Sequence, residues 1–536
     1  MANEPVDVLI IGGGASGAAM AWSLAETRMR IVCLEQGGWV NPQDYPSNGR
    51  DWEARQWGDF AFSPNRRGRR TDYPINDANS PIKIANFNGV GGSTLLYAGH
   101  MPRFHPSDFK VRTLDGVADD WPIDYATLEP FYAENDRMIG LSGLVGDPAN
   151  PPHPAPEALM PPLPLGKSGS QLAQGFNAMG WHWWPSDSAV ATKPYGGRDG
   201  CINLGACLSG CAQGAKATPD ITYWPEAIRA GAEVRPYCRV REISVNEQGM
   251  AGGVVYFDAD GNEQFQAAQV VVLAANGVGT PRLLLNSKST AFPDGLANSS
   301  GLVGKNLMFH PYALIRGLFD EELDGYRGPS NCIWSQEFYE TDPERGFVRG
   351  FTYEIGRGIG PVATAAMGMF SGRIPWGGEH HKCFGELFNR TTGMVAICED
   401  LPELHNQVTL DASLTDADGI PAPKIDYTLS ANSQRMLDFS VARASDVLRA
   451  AGAKDIWAES PLTVGGWHLM GTARMGIDPA ASVVNEWGRS HDVKNLFVVD
   501  GSLFVTSAGV NPTRTIQALA LYVADQMKRR LANLFD

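Results

Sequence analysis

Val6-Asp7-Val8-Leu9-Ile10-Ile11-Gly12-Gly13-Gly14-Ala15-Ser16-Gly17 decides the fold class. Six residues of buried-strand character run into Gly12-x-Gly14-x-x-Gly17. Ala18 to Thr27 follows, with small residues and good helix formers. Arg30-Ile31-Val32-Cys33-Leu34 reads as a second strand, closed by Glu35. Together they predict one βαβ unit of an α/β fold with a parallel sheet. Glycines at this turn let backbone approach a pyrophosphate, and the helix N-terminus then faces the phosphates. A carboxylate ending the second strand suits a ribose 2′-OH and disfavours a 2′-phosphate. Gly12, Gly14, Ala15, Ser16, Gly17 and Glu35 are therefore candidate dinucleotide-binding residues. The competing reading is a glycine turn that only eases helix–strand packing.

Outward from this unit, residues 41–80 are polar and rich in Asn, Arg, Asp and Pro, as in a long surface excursion. Residues 148–164 hold eight Pro, which predicts an extended linker or covering loop. Residues 234–272 alternate like strands and end in Val270-Val271-Val272-Leu273. Strand-like stretches recur at Pro311–Gly317, Val348–Ile355 and Met394–Ile397, and an amphipathic helix is predicted from about Ala431 to Ala451. Near the end, Leu496-Phe497-Val498-Val499 reads as a buried strand before Asp500, and Ile516 to Leu531 as a helix.

The 536 residues are enough for two to four domains and a large core. With 43% hydrophobic and 19% charged residues, the chain is globular rather than disordered. A net charge of −15 repels phosphate backbones, which argues against nucleic acid as a partner. No apolar run reaches the roughly 20 residues of a transmembrane helix. The N-terminus has no basic region and only a short apolar stretch, so the expectation is a cytoplasmic chain, or export bound to a partner that carries a signal.

The fingerprint alone does not choose between NAD and FAD. Only one complete fingerprint is present, whereas reduction of FAD by NAD(P)H usually needs two nucleotide sites. This favours FAD with an electron-donating organic substrate.

Three further stretches carry a resemblance. Trp467-His468-Leu469-Met470-Gly471-Thr472-Ala473-Arg474-Met475-Gly476 is one; Asp500-Gly501-Ser502 followed by Gly509-Val510-Asn511-Pro512-Thr513 is the second; Asn88-Gly89-Val90-Gly91-Gly92-Ser93-Thr94 is the third. With the N-terminal fingerprint, they resemble the glucose–methanol–choline (GMC) family of FAD-dependent oxidoreductases, bacterial sugar and alcohol dehydrogenase flavin subunits above all. Asp120-Trp121-Pro122-Ile123, Ala274 to Leu284 and Gly304 to Pro311 are similar to further family segments. Residues 320–400 carry no motif.

The resemblance implies a discontinuous FAD-binding domain, residues 1–310 and 461–536, interrupted by a Pro-rich loop at 146–166 and a cysteine cluster at 201–211. It implies a substrate domain, 311–460, built on an antiparallel sheet with helices. It implies hydride transfer from an alcohol carbon to flavin N5 with His468 as base. Asn511 matches the second catalytic position, and its amide can bind substrate oxygen but cannot take a proton. As plain sequence, Asn511-Pro512 also reads as a helix N-cap with Pro in the first turn. Gly91, Gly92, Ser93, Val240, Ala274, Asp500, Gly501, Asn511, Pro512 and Thr513 are the implied further cofactor contacts, Asp500 acting through the next turn. His310 reads as a packing residue. Relatives that attach FAD covalently use a His where this chain has Leu96, so non-covalent FAD is expected.

Cys201, Cys207 and Cys211 have the spacing C-x5-C-x3-C among glycines. Thiolates bind soft metal, and three of them suit a [3Fe–4S] cluster. Residual buried thiols and a zinc site completed by a distant ligand are the alternatives. A cluster implies a dehydrogenase that passes electrons to another carrier rather than to O₂. For the chain as a whole the expected acceptor is a quinone, a cytochrome or O₂, and a small or cytochrome subunit is a candidate partner. Trp181, Trp183 and Trp184 either stack on a sugar or aromatic alcohol or anchor a loop. Three other classes fit parts of the pattern: a lyase on the same fold, an NAD-dependent dehydrogenase, and a non-catalytic electron-transfer subunit.

Overall fold

A computed structural model describes residues 4–151, 159–328, 330–531 and 534. Part of the Pro-rich stretch, 152–158, lies outside the described residues.

The opening unit folds as Val6–Ile11, a turn, the helix Ala15–Ala25 and the strand Ile31–Leu34. The helix starts three residues before the predicted Ala18, because Gly14 takes the cap position. Val6–Ile11 is flanked by Ile31–Leu34 on one side and the end of Glu263–Leu273 on the other, both parallel. Glu233–Arg235 extends the parallel run beyond Ile31–Leu34. Leu496–Val498 joins it on the far side, pairing with Val271–Leu273. Alternation fails in these strands because both faces are buried. Val8, Leu9, Ile10, Val271, Val272 and Phe497 are all fully buried.

Glu263–Leu273 is long enough to serve two neighbours. Its second half is central to the parallel run, while its first half pairs antiparallel with Ala251–Phe257, which in turn pairs with Arg239–Val245.

A second sheet is antiparallel throughout, in the order Asp455–Glu459, Tyr312–Leu318, Thr391–Cys398, Phe351–Ile355, Trp334–Ser335. Strand alternation gives it two unlike faces. Ala313, Ile315, Tyr353, Met394 and Ala396 pack beneath the helix Ala431–Ala450, with Met436, Leu437, Ala444, Val447 and Leu448 against them. The helix Gly166–Met179, from outside 311–460, joins the same core through Leu172, Ala173 and Phe176. A small third sheet joins Gln407–Thr415 and Pro421–Asp426 to Asn76–Asn79, which lies in the long polar excursion.

No helix among the described residues is long and apolar enough to cross a membrane.

Candidate active site

The other face of the antiparallel sheet looks across a cavity of about 520 Å³ toward the βαβ unit. Register explains the floor. Glu354 sits opposite Val395, which sits opposite Leu314, and Tyr312 lies two residues along the same strand. Tyr312, Leu314, Val395 and Glu354 all line the cavity.

The cavity runs on to the glycine fingerprint. Gly12 has φ +105°, and a Cβ there would meet the Ala274 carbonyl oxygen at 2.4 Å. A Cβ on Gly17 would stand 2.0 Å from the Gly12 oxygen, so both positions are sterically closed to any side chain. Gly14, Ala15 and Ser16 face the cavity. No side chain caps this helix, so its first N–H groups and positive dipole end are open to an anion. Gly92 approaches so closely that its Cβ would lie 2.9 Å from the Gly14 Cα, and Gly91 N–H donates to the Gly13 oxygen at 2.9 Å. Ser93 lines the cavity beside Gly92. Gly17 and Gly91 thus shape the turn from behind, while Gly12, Gly14, Ala15, Ser16, Gly92 and Ser93 form its surface.

Glu35 lies on the wall, and its two carboxylate oxygens accept from Gly13 N–H (2.7 Å) and Gly37 N–H (2.8 Å). Burial raises its pKa to about 7, against the lowering effect of these backbone donors. Val240 and Ala274 line the same end. Asp500 also reaches the wall, but its oxygens are already engaged. One accepts from Ser502 N–H and hydroxyl at 2.9 and 2.6 Å, the other from Asn276 N–H and the Thr280 hydroxyl at 3.1 and 2.6 Å. It braces the turn that presents Gly501 to the cavity. This long, glycine-surfaced cleft with an uncapped helix end fits a dinucleotide such as FAD.

At the other end stand two histidines. His310 Nε2 lies 2.7 Å from the Ala508 carbonyl oxygen and 3.2 Å from that of Ser507. Both partners only accept, so Nε2 carries the proton. Burial pulls the His310 pKa down to about 4, leaving a neutral ring whose Nδ1 is an acceptor. That Nδ1 is 2.6 Å from His468 Nδ1, which must therefore donate. The His468 pKa is held well below the usual range by burial and then by His310. Its remaining lone pair is on Nε2, and the ring lines the cavity. The Tyr312 hydroxyl lies across the ring, 3.0 Å from Nδ1 and 3.4 Å from Nε2. His310 is thus more than the packing residue expected.

Asn511 departs from the capping role expected. Pro512 occupies the cap position of the helix Thr513–Arg529, and no side chain caps it. The Asn511 amide is drawn to the buried carboxyl of Glu354, and its Oδ1 has no hydrogen-bond partner. Pro512 and Thr513 complete this wall. Behind them, buried Arg514 fixes the helix through Asp136 (2.7 Å) and Asp187 (2.8 Å).

The cysteine expectation is only half met. Cys207 and Cys211 are close enough to Cys201 to raise its pKa further, though burial is the larger cause. Lys216 and Arg357 stand beside the thiols. All eight cysteines are free. Yet among the described residues no group of three or more His, Cys, Asp or Glu is placed to hold a metal ion. Cys201, Cys207 and Cys211 do not form an assembled ligand set. Nor do the tryptophans reach the cavity. Trp183 and Trp184 donate to Asn177 Oδ1 and the Leu144 oxygen, both at 2.8 Å, and Trp181 packs edge-on against Phe338. They anchor a loop.

Two descriptions of GMC oxidoreductases match the chain, over residues 171–312 and 402–520, and a Rossmann-like NAD(P)-binding domain matches residues 10–68. A 2-methyl-1,2-propanediol dehydrogenase of Mycolicibacterium austroafricanum is 42% identical over 99% of this chain and 97% of its own length. The chain belongs to the GMC oxidoreductase family. This GMC protein is also 28% identical to the fructose dehydrogenase large subunit of Gluconobacter japonicus, over 98% of each chain. The crystal structure of pyridoxine 4-oxidase from Mesorbium loti shares the fold, with a TM-score of 0.65 at 17% identity over 98% of this chain and 99% of that one. The GMC protein is accordingly an FAD-binding oxidoreductase of the alcohol- and sugar-oxidising kind.

Proposed function

We propose that this GMC oxidoreductase is a dehydrogenase that oxidises an alcohol group of a small diol or polyol. The observation that carries it is the His468 ring in the cavity wall, its proton fixed on Nδ1 by His310, so that among the described residues the Nε2 lone pair has only the Tyr312 hydroxyl near it, at 3.4 Å. His468 Nε2 accepts the hydroxyl proton of the substrate. The Asn511 amide, through the N–H not directed at Glu354, donates to the substrate oxygen. The neutral state of His468 at pH 7 leaves it ready to act, and a positioned base contributes about 10²–10⁴ in rate. FAD, bound without a covalent link along the glycine-surfaced cleft, supplies the hydride acceptor at N5. Gly12, Gly14, Ala15, Ser16 and Gly92 would hold its pyrophosphate, and Glu35 a ribose. The helix Thr513–Arg529 turns its N-terminal end to the same cavity, where negative charge is favoured.

The substrate class comes from the relative that bears a diol's name and shares 42% identity. The preference for dehydrogenase over oxidase rests on the two dehydrogenase relatives. A quinone or cytochrome would then take the electrons. We read residues 311–460 as the substrate unit, since all five strands of the antiparallel sheet fall within it. The [3Fe–4S] reading of the cysteine loop finds no assembled ligand set among the described residues and enters no step.

Anaerobic mixing with 2-methyl-1,2-propanediol, sugars and aromatic alcohols tests the reading. Bleaching of the flavin by the diol is expected, with slow return of colour in air. A yellow protein that none of these bleaches overturns it.

A further inference from the structure

The same cavity holds a second polar cluster, whose Glu354 and His100 the proton transfer does not use. Glu354 is 8% exposed, and its Oε1 has no hydrogen-bond partner. Its Oε2 lies 3.3 Å from His100 Nε2, and His100 is 2% exposed. Asn511 reaches the same carboxyl while its own Oδ1 is unpartnered. Neither Glu354 nor His100 carries the charge of an ion pair. Burial raises the carboxyl well above its usual range and lowers the imidazole to about 3. A neutral carboxylic acid both donates and accepts one hydrogen bond, which matches an alcohol hydroxyl. Buried polar atoms without partners are costly, and a chain places them where a ligand completes them.

We propose that Glu354, with His100 behind it, binds a second hydroxyl on the carbon next to the one oxidised, and so selects vicinal diols and polyols over monoalcohols. Asn511 joins the two subsites. One N–H of its amide meets the Glu354 carboxyl and the second is left to donate to the reacting oxygen, so oxygens on adjacent carbons can engage the two groups together. An apolar substituent in place of the second hydroxyl would leave Glu354 Oε1 without a partner. Sites of this kind reject the analogue lacking the hydroxyl by as much as ~10⁴–10⁵. The proposal rests on the alcohol-oxidation reading above.

Two measurements test it separately from that reading. The first is binding alone, followed through the spectrum of the oxidised flavin. Pinacol has two adjacent hydroxyls and no hydrogen on either carbinol carbon, so it occupies the site without reacting; tert-butanol is the comparison. Pinacol is expected to bind the wild-type holoprotein more tightly than tert-butanol does. That preference should fall at least about 10-fold in Glu354→Leu and be largely restored in Glu354→Gln, which keeps a donor and an acceptor. FAD content and thermal unfolding confirm that both variants fold. The second is kcat/KM for 2-methyl-1,2-propanediol against 2,2-dimethyl-1-propanol, in which methyl replaces the second hydroxyl. The ratio should collapse in Glu354→Leu. An unchanged preference in Glu354→Leu, or no preference for pinacol in the wild type, overturns the proposal. Pinacol binding that depends on Glu354, with no bleaching by any oxidisable diol, would instead sink the alcohol-oxidation reading and leave the diol subsite standing.

Discussion

His310 and His468 face each other through their Nδ1 atoms at 2.6 Å, and only one of them is free to donate. His310 spends its proton on the Ala508 carbonyl, so His468 gives its own to His310 and keeps its Nε2 unprotonated. Replacing His468 by Ala should leave FAD bound and slow flavin reduction by about 10²–10⁴-fold. Stopped-flow absorbance reads the rate directly, and an unchanged rate would remove His468 from the reaction.

His310→Leu removes the acceptor that fixes the tautomer but touches no substrate. The expected effect is a loss of about 10²-fold in reduction rate, the scale of a misoriented catalytic group. KM should change little, and the acid limb of the pH–rate profile should move, because His310 lowers the His468 pKa. A proportionate rise in KM with the acid limb unmoved would mean that His310 acts only through packing.

Wild-type reduction should be flat through neutral pH and fall only in acid. The base works unprotonated, and both rings are held below their usual pKa by burial. A reduction rate with its midpoint near the usual histidine value of about 6.5 would contradict a buried base.

Glu35 titrates near pH 7 in the unliganded fold, above the carboxylate's usual 4.5. The fold therefore binds this proton more tightly than the unfolded chain does. Its contribution to stability is present in acid and is lost as pH rises from about 4.5 through about 7. A ribose that donates to the ionised carboxylate favours the opposite state. Affinity for FAD should thus rise between about pH 6 and 8 in the wild type and stay flat in Glu35→Gln, as titration of the apoprotein by fluorescence would read.

Gly12→Ala sets a side chain 2.4 Å from the Ala274 oxygen at a positive φ. The expected cost is about 1–3 kcal/mol of stability together with loss of bound FAD. Retention of full FAD by a folded Gly12→Ala protein would show that the turn is not the cofactor's seat.

Much of the cofactor end was legible because its signals are local. A strand, three spaced glycines and a helix sit within 20 residues, and each acts on its neighbours in the chain. Glu354, His100 and Tyr312 carry no such signal. They come together through strand register, Glu354 to Val395 to Leu314, and through a loop that places His100 212 residues before Tyr312. Of the two readings of Asn511, the local one, a helix cap, is not met, because its amide turns to a carboxyl distant in sequence. His310 was undervalued for the same reason, since its partner lies 158 residues on. The cysteine spacing was plain to see, but spacing alone does not bring three sulfurs around a metal.

The pairing of Leu496–Val498 with the end of Glu263–Leu273 has a consequence for how the protein is made. The nucleotide cleft begins at Gly12, yet its far wall comes from Asp500 to Thr513. A ribosome adding about 5–20 residues per second leaves the N-terminal glycines waiting for this last strand. FAD capture therefore waits until residues 496 to 513 have left the ribosome, and a nascent chain stalled before residue 496 should emerge colourless.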